Sequence, residues 1–362
     1  MSTEKIPLVS VVIPMYNSAK FIPQTLESLL YQTMKDFEVV VVDDCSTDNS
    51  VEVVESFKPR FNGRLHVIKL PKNTGTPGLP RNVGIQLSRG KYIAFLDSDD
   101  LFTLTALEEL STLAEKFQAD VVHSDYWFQL YGNREMSENN SLFTDMKELL
   151  NPKNFSFHTD KRTPPLNNAM LETTDLSERV RRWVNWDYHW GTPSLFCKRN
   201  FLIVNQITFP IMLMSEDMLV NFNCLCLASR YLRVPNATYI TRPRTGSMTR
   251  AKNNVQKEFH LWLSVLNIGF KEFERIMDKI KFFNEHSDYR YAVLDFYFWR
   301  MFDISKFLWS YHQIPVFSLN DLVRKEFHTD DAAFSAYLFN TVNIQRLQIM
   351  RLQQELAKFK KQ

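Results

Sequence analysis

Residues 92–100 read YIAFLDSDD, an apolar run that ends abruptly in three carboxylates, Asp97, Asp99 and Asp100. The run is short and has no polar face, which is what a strand covered on both sides in a parallel sheet requires. Similar segments recur on either side of it: LVSVVI (8–13), FEVVVVDD (37–44), LHVIKL (65–70) and ADVVHSDYW (119–127), all rich in β-branched or aromatic residues. Between them lie helical patterns. Ser18 stands where it would cap a segment with Phe21, Ile22, Leu26, Leu29 and Leu30 on one face, and Thr103 does the same for Leu104, Leu107, Leu110, Ala114 and Phe117. Strand and helix alternating in this way predict an α/β fold, doubly wound around a mostly parallel sheet.

In such folds ligands bind beyond the carboxyl ends of the strands. Pro14, Tyr16 and Asn17 follow the first predicted strand, Asp43 and Asp44 end the second, and Asp97, Ser98 and Asp99 follow the one at 91–96. The three clusters should meet on one sheet edge. So many carboxylates repel one another unless a cation is present. A hard divalent ion, Mg²⁺ or Mn²⁺, takes few carboxylates and fills its remaining positions with water and phosphate oxygens. The alternative reading, in which the acids merely favour the dipole of the next helix, leaves the second acidic pair at another strand end without a reason.

Composition narrows the field. The chain has 362 residues, of which 44% are hydrophobic, enough for two or three lobes. Its 43 Lys and Arg against 41 Asp and Glu give a formal charge of +2, a poor basis for binding nucleic acid. The four cysteines have no paired metal spacing and no secretory leader precedes them, so the expected location is the cytoplasm. No run of about 18 apolar residues is present to span a bilayer, which leaves peripheral contact at the inner face of the membrane as the expected limit.

VSVVIPMYN, VDDCSTDNS, PRNVGIQLSRGKYIAFLDSDD and the later SEDMLVNF together resemble the family 2 inverting glycosyltransferases of the GT-A fold. The likeness is close over residues 7–130 and thins toward 250. It implies a nucleotide-sugar donor, usually a UDP-sugar, and an acceptor that is a glycan or a lipid-linked molecule. Pro14 and Tyr16 would line the nucleoside pocket with Asn17 close by, Asp44 would meet the uracil edge beside Asp43, and Arg81 would lie near the base. Asp97 and Asp99 would be the DxD element, with Asp97 toward the ribose and Asp99 toward the metal; Asp100 matches a frequent third acid. Inversion needs a base on one face of the sugar and a stabilised leaving group on the other. The resemblance implies Asp217 as that base, with Glu216 beside it; the same two acids could also simply open a helix capped by Ser215.

TRPRTGSMT (241–249) places Arg242 and Arg244 near Ser247, a set suited to phosphate oxygens and equally to an exposed basic turn. The aromatic segment 179–202 offers Trp183, Trp186, Tyr188 and Trp190 as stacking surfaces for acceptor sugars or as core, with His189 a candidate acceptor contact. The expected domains are a donor-binding half at 1–128, an acceptor half with a lid-like insertion at 129–252, and a helical C-terminal region at 253–362. In the last of these, Val342, Ile349 and Leu356 repeat every seven residues, as a short coiled coil joining two subunits would, or a helix docked on its own chain. Two further readings stay open, a nucleotidyltransferase and a non-catalytic nucleotide-sugar-binding module. The first would usually carry a Gly-rich loop where this chain has PMYNSAKF, and the second should have lost Asp99 or Asp217.

Overall fold

The computed structural model describes residues 6–130, 150, 155–159, 165–242 and 255–304, with isolated positions 318, 351–352 and 356. The strands β1 (Val9–Met15), β2 (Phe37–Asp43), β3 (Leu65–Lys69) and β4 (Tyr92–Phe95) form a parallel block in the order β3-β2-β1-β4. All seven residues of β1 and of β2 are buried. Their valines, covered on both faces, are each worth roughly 1.5–3 kcal/mol of burial, which explains why these segments are mostly apolar rather than alternating; the buried Ser10 and Glu38 bond to each other at 2.7 Å.

The sheet continues through β10 (Leu195–Lys198), β6 (Val121–Ser124), β11 (Tyr231–Val234) and β9 (Met170–Leu171), eight strands in all among the described residues. Here β10 runs antiparallel to both of its neighbours, β4 and β6. A second sheet, in the order β5-β12-β7-β8, joins β5 (Leu101–Phe102), β12 (Tyr239–Thr241), β7 (Tyr126–Leu130) and β8 (Phe155–Thr159). The single strand expected at 119–127 is therefore two strands in different sheets, divided at the buried Asp125. A carboxylate drawn toward Arg233 turns the chain there.

Helices α1 (Ile22–Leu30), α2 (Ser50–Phe61), α3 (Gly78–Leu87) and α4 (Ala106–Phe117) link the parallel strands. The expected caps do not act as caps. Phe21 and Thr105 occupy the N-cap positions of α1 and α4, and the Ser18 hydroxyl instead meets Ser98 at 2.7 Å. Helix α3 approaches β1 so closely that a Cβ on Gly84 would clash with the Val12 side chain. The remaining helices are α5 (Leu176–Val184), α6 (Arg199–Val204), α7 (Glu216–Leu227), α8 (Val255–Asp278), α9 (Lys281–Glu285) and α10 (Ser287–Ile304).

The chain folds as two units, Met1–Ala251 with Glu272–Phe296, and Lys252–Lys271 with Tyr297–Gln362. The divide expected at 128/129 falls inside β7, and part of the expected C-terminal region, Glu272–Phe296, belongs to the first unit. In the second unit Gly269 lets α8 pass close to Tyr297, whose hydroxyl donates to the Val265 carbonyl at 2.7 Å. Most of the expected coiled coil lies outside the described residues; Leu352 and Leu356 are exposed. Among the described residues no helix is long and apolar enough to cross a membrane.

Candidate active site

The carboxyl ends of β1, β2 and β4 bring the expected clusters together. Register pairs Met15 with Asp43, and the Asp44 amide donates to the Met15 carbonyl at 2.7 Å. Pro14 is buried in β1, while Tyr16 and Asn17 turn outward, Asn17 with φ +47°. The Asn17 side chain accepts from the Thr47 amide at 2.8 Å, locking the loop after β1 to the loop after β2. Both acids of β2 are engaged: Asp43 accepts from Ser46, and Asp44 accepts from the Thr74 amide and hydroxyl at 3.0 and 2.9 Å. These bonds leave the Tyr16 ring, 44% exposed, as an open apolar surface beside the acidic edge.

The loop after β4 splits its acids into two kinds. Asp97 and Asp99 are partly exposed, whereas Asp100 is buried. Asp100 accepts from the Tyr239 hydroxyl and from the Arg242 amide, each at 2.8 Å. Burial, with the charges of Asp99 and Asp97 next in weight, raises its pKa well above the carboxylate range. The third acid is thus an internal tie between the loop and β12. Arg242 also turns inward, against the expectation of a phosphate-facing side chain. Its guanidinium donates to the carbonyls of Asp99 and Phe21, to Gln24 and to Thr25, so it braces the loop against α1. Arg244 and Ser247 lie outside the described residues.

Arg81, on α3, supplies the link that the sequence did not reveal. Its Nη2 donates to Asp97 and its Nη1 to Glu216, both at 2.8 Å, and its guanidinium lies 5.2 Å from the centre of the Phe209 ring. The arginine is buried, and the two carboxylates hold its pKa up against the burial that would lower it. Glu216 and Asp217 open α7 after Ser215, a residue in the left-handed region at φ +69° that makes no side-chain cap. Glu216 is buried on Arg81, while Asp217 keeps some solvent exposure and accepts from the Met218 amide at 2.8 Å. Burial, then the Glu216 charge, pushes the Asp217 carboxyl up to about 7. A carboxylate poised near neutrality can take and return a proton.

The described residues hold no group of three or more metal-ligating side chains. Two partly exposed acids, Asp97 and Asp99, nevertheless fit an ion of the Mg²⁺ or Mn²⁺ type. Such an ion uses one or two carboxylates and completes its shell with water and substrate phosphate.

The aromatic segment divides between core and surface. Trp183, Tyr188 and Trp190 are buried, while Trp186 and His189 remain partly exposed. Trp186 sits at φ +67° with its ring 4.9 Å from that of Trp190, and His189 stacks on Trp127 at 4.5 Å. Asn221, one turn after Asp217, donates to the Trp190 carbonyl at 2.9 Å and so ties this segment to α7. A buried chain of charges fixes it from below. Asp125 pairs with Arg233, Arg233 with Glu172 at 3.4 Å, and Glu172 with Arg182 and the Tyr188 hydroxyl at 2.5 and 3.0 Å. A separate cavity of about 270 Å³, lined by Asn205, Asn223, Arg275 and Lys279 among others, shares no residue with the acidic cluster.

Residues 10–168 match the family model described as Glycosyl transferase family 2. The uncharacterized glycosyltransferase EpsJ of Bacillus subtilis is 29% identical over 71% of this chain and 67% of its own length. The poly(ribitol-phosphate) beta-N-acetylglucosaminyltransferase TarS of Staphylococcus aureus is 28% identical over 76% of this chain, a match that spans 44% of that longer protein. The crystal structure of S. aureus TarS 1-349 in complex with UDP superposes with a TM-score of 0.58 at 22% identity, covering 87% of this chain and 78% of that one. The sheet order, the acidic strand ends and these likenesses agree: residues 10–168 match the family 2 glycosyltransferases, and the fold is the GT-A fold.

Proposed function

We propose that this glycosyltransferase is inverting and metal-dependent, and that it moves a sugar from a UDP-sugar to a hydroxyl of a cell-surface glycan or its lipid-linked precursor. The observation that carries the reading is the pairing of a donor-edge acid, Asp97, with the Glu216–Asp217 pair through one buried arginine. It puts a carboxyl of pKa about 7 in the neighbourhood of the acids suited to a diphosphate. The choice of donor is supported by TarS, whose crystal structures include complexes with UDP and with UDP-GlcNAc. The choice of acceptor is supported by the names of the relatives, which include TarS and a putative teichuronic acid biosynthesis glycosyltransferase, TuaG, of B. subtilis. A cytoplasmic enzyme working at the inner face of the membrane suits such acceptors.

In this reading the nucleoside rests on Tyr16 and against the Asp44 edge. Asp217 removes the proton of the acceptor hydroxyl as its oxygen attacks the anomeric carbon from the face opposite the diphosphate. One carbon–oxygen bond forms as the bond to the diphosphate breaks, which inverts the centre and releases UDP. Asp99, with Asp97, would hold the divalent ion, which when bound acts as a Lewis acid on the departing diphosphate. Trp186 and His189 offer the acceptor an apolar face and a polar edge. Release of UDP from UDP-GlcNAc and UDP-glucose, with Mg²⁺, Mn²⁺ or EDTA, tests the reading. Metal-dependent release is expected, and its absence from every UDP-sugar offered would reject it.

A further inference from the structure

We propose that Arg81 is a positioning residue that makes the base end of the site answer to the donor end, through Glu216. The proposal rests on the function argued above and adds a distinct element to it. Three acids, Asp97, Glu216 and Asp217, converge here from segments far apart in the sequence, and like charges at such range push one another apart or into protonation. Arg81 is the cation that holds them. One guanidinium nitrogen takes Glu216 and the other takes Asp97, both at 2.8 Å, so the two carboxylates are spaced by the rigid width of a single planar group. The position of Arg81 is itself fixed. Its neighbour Asn82 donates to the Phe209 carbonyl and accepts from the Phe209 amide, each at 2.8 Å, while the Phe209 ring lies against the guanidinium. The segment between Phe209 and Glu216 leads directly into α7, so α3 grips both ends of the approach to Asp217.

Two consequences follow. Glu216 is committed to Arg81 and serves as the anchor of α7, which leaves the proton transfer to Asp217. Any ligand that draws on Asp97 also changes what Arg81 offers Glu216, so donor occupancy reaches the base through one side chain. A donor contact alone would need the Asp97 arm only, and a core ion pair alone would need no arm on a partly exposed acid.

The test is a double-mutant cycle with Arg81→Gln, Glu216→Gln and their combination, each read for turnover at saturating UDP-sugar and for UDP affinity by calorimetry with metal present. Arg81→Gln is expected to lower kcat by about 100-fold or more, and the double variant should be no more than about 3-fold slower than Arg81→Gln alone. Arg81→Lys, which keeps the charge but loses the fork, should recover only part of the rate. Losses that multiply in the double variant would overturn the proposal, as would a raised donor KM with unchanged kcat. Thermal unfolding of each variant separates loss of fold from loss of coupling. If the wild-type protein releases no UDP from any donor, the functional reading fails by itself. The cycle of Arg81→Gln with Asp97→Asn, read on UDP affinity, then decides the coupling: additive effects refute it and non-additive effects sustain it.

Discussion

Asp217→Asn should give a protein that is inactive and, above neutral pH, harder to unfold than the wild type. Burial and the Glu216 charge raise the Asp217 carboxyl from 3.8 to about 7, a titration that it shares with Glu216. A carboxyl raised in this way binds its proton more tightly in the folded chain than in the unfolded one. Its contribution to stability is complete below about pH 4 and is lost as pH climbs to about 7. At about 1.4 kcal/mol per pH unit, ionising it costs the folded state roughly 4 kcal/mol by pH 8, of which about 2–3 kcal/mol accrues between pH 5 and pH 8. Asparagine stays neutral throughout. The stability advantage of the variant should therefore widen by about 2–3 kcal/mol over that interval, a Tm difference on the order of 5 °C. Thermal unfolding at pH 5, 6, 7 and 8 in EDTA without donor reads this directly. The wild-type rate at low acceptor should rise about tenfold from pH 6 to pH 8 as the base deprotonates. A Tm difference that is flat with pH, or a variant that transfers sugar at the wild-type rate, would refute the reasoning.

Asp99→Ala should abolish metal-dependent UDP binding while leaving the fold intact; calorimetric affinity in Mn²⁺ equal to that of the wild type would contradict the role given to this acid. Asp100→Ala leaves the Tyr239 hydroxyl and the Arg242 amide without their acceptor inside the protein, a loss of about 2–4 kcal/mol. A melting temperature within a degree of wild type would show that the tie is not structural. Gly84→Ala sets a methyl group against the buried Val12 side chain and should cost about 1–3 kcal/mol. Chemical denaturation midpoints measure it, and an unchanged midpoint would mean that α3 can move away from β1.

The strand ends were legible because each rests on local chemistry. An apolar run closing on Asp43–Asp44 or on Asp97–Asp99 marks both the strand and its functional end within a few residues. The pair at Glu216 and Asp217 was singled out by the resemblance of SEDMLVNF to the family motif, since the residues alone read equally as the start of a helix. The tie of Glu216 to Arg81 was not legible, because the partners are 135 residues apart and periodicity carries no information at that range. Arg242 misled for a related reason: an arginine followed by Gly, Ser and Thr has the composition of a phosphate cradle, and only its own bonds to Gln24 and Thr25 on α1 turn it inward. Ser18 and Thr103 have the chemistry of caps, but tertiary packing started both helices a few residues later. The break at Asp125 was hidden because Val121–Val122 and the aromatic Tyr126–Trp127 read as parts of one strand.

The antiparallel strand β10 has a consequence for how the molecule is made. It fills the place between β4 and β6, yet it leaves the ribosome about 100 residues after β4 ends at Phe95. At roughly 5–20 residues per second, the nascent parallel block waits about 5–20 s with one flank of its hydrogen-bonding groups unpaired. A flank of that kind is a template for pairing with another chain. Synthesis of this protein therefore passes through an interval of exposure to misassembly, which ends only when Leu195–Lys198 closes the gap.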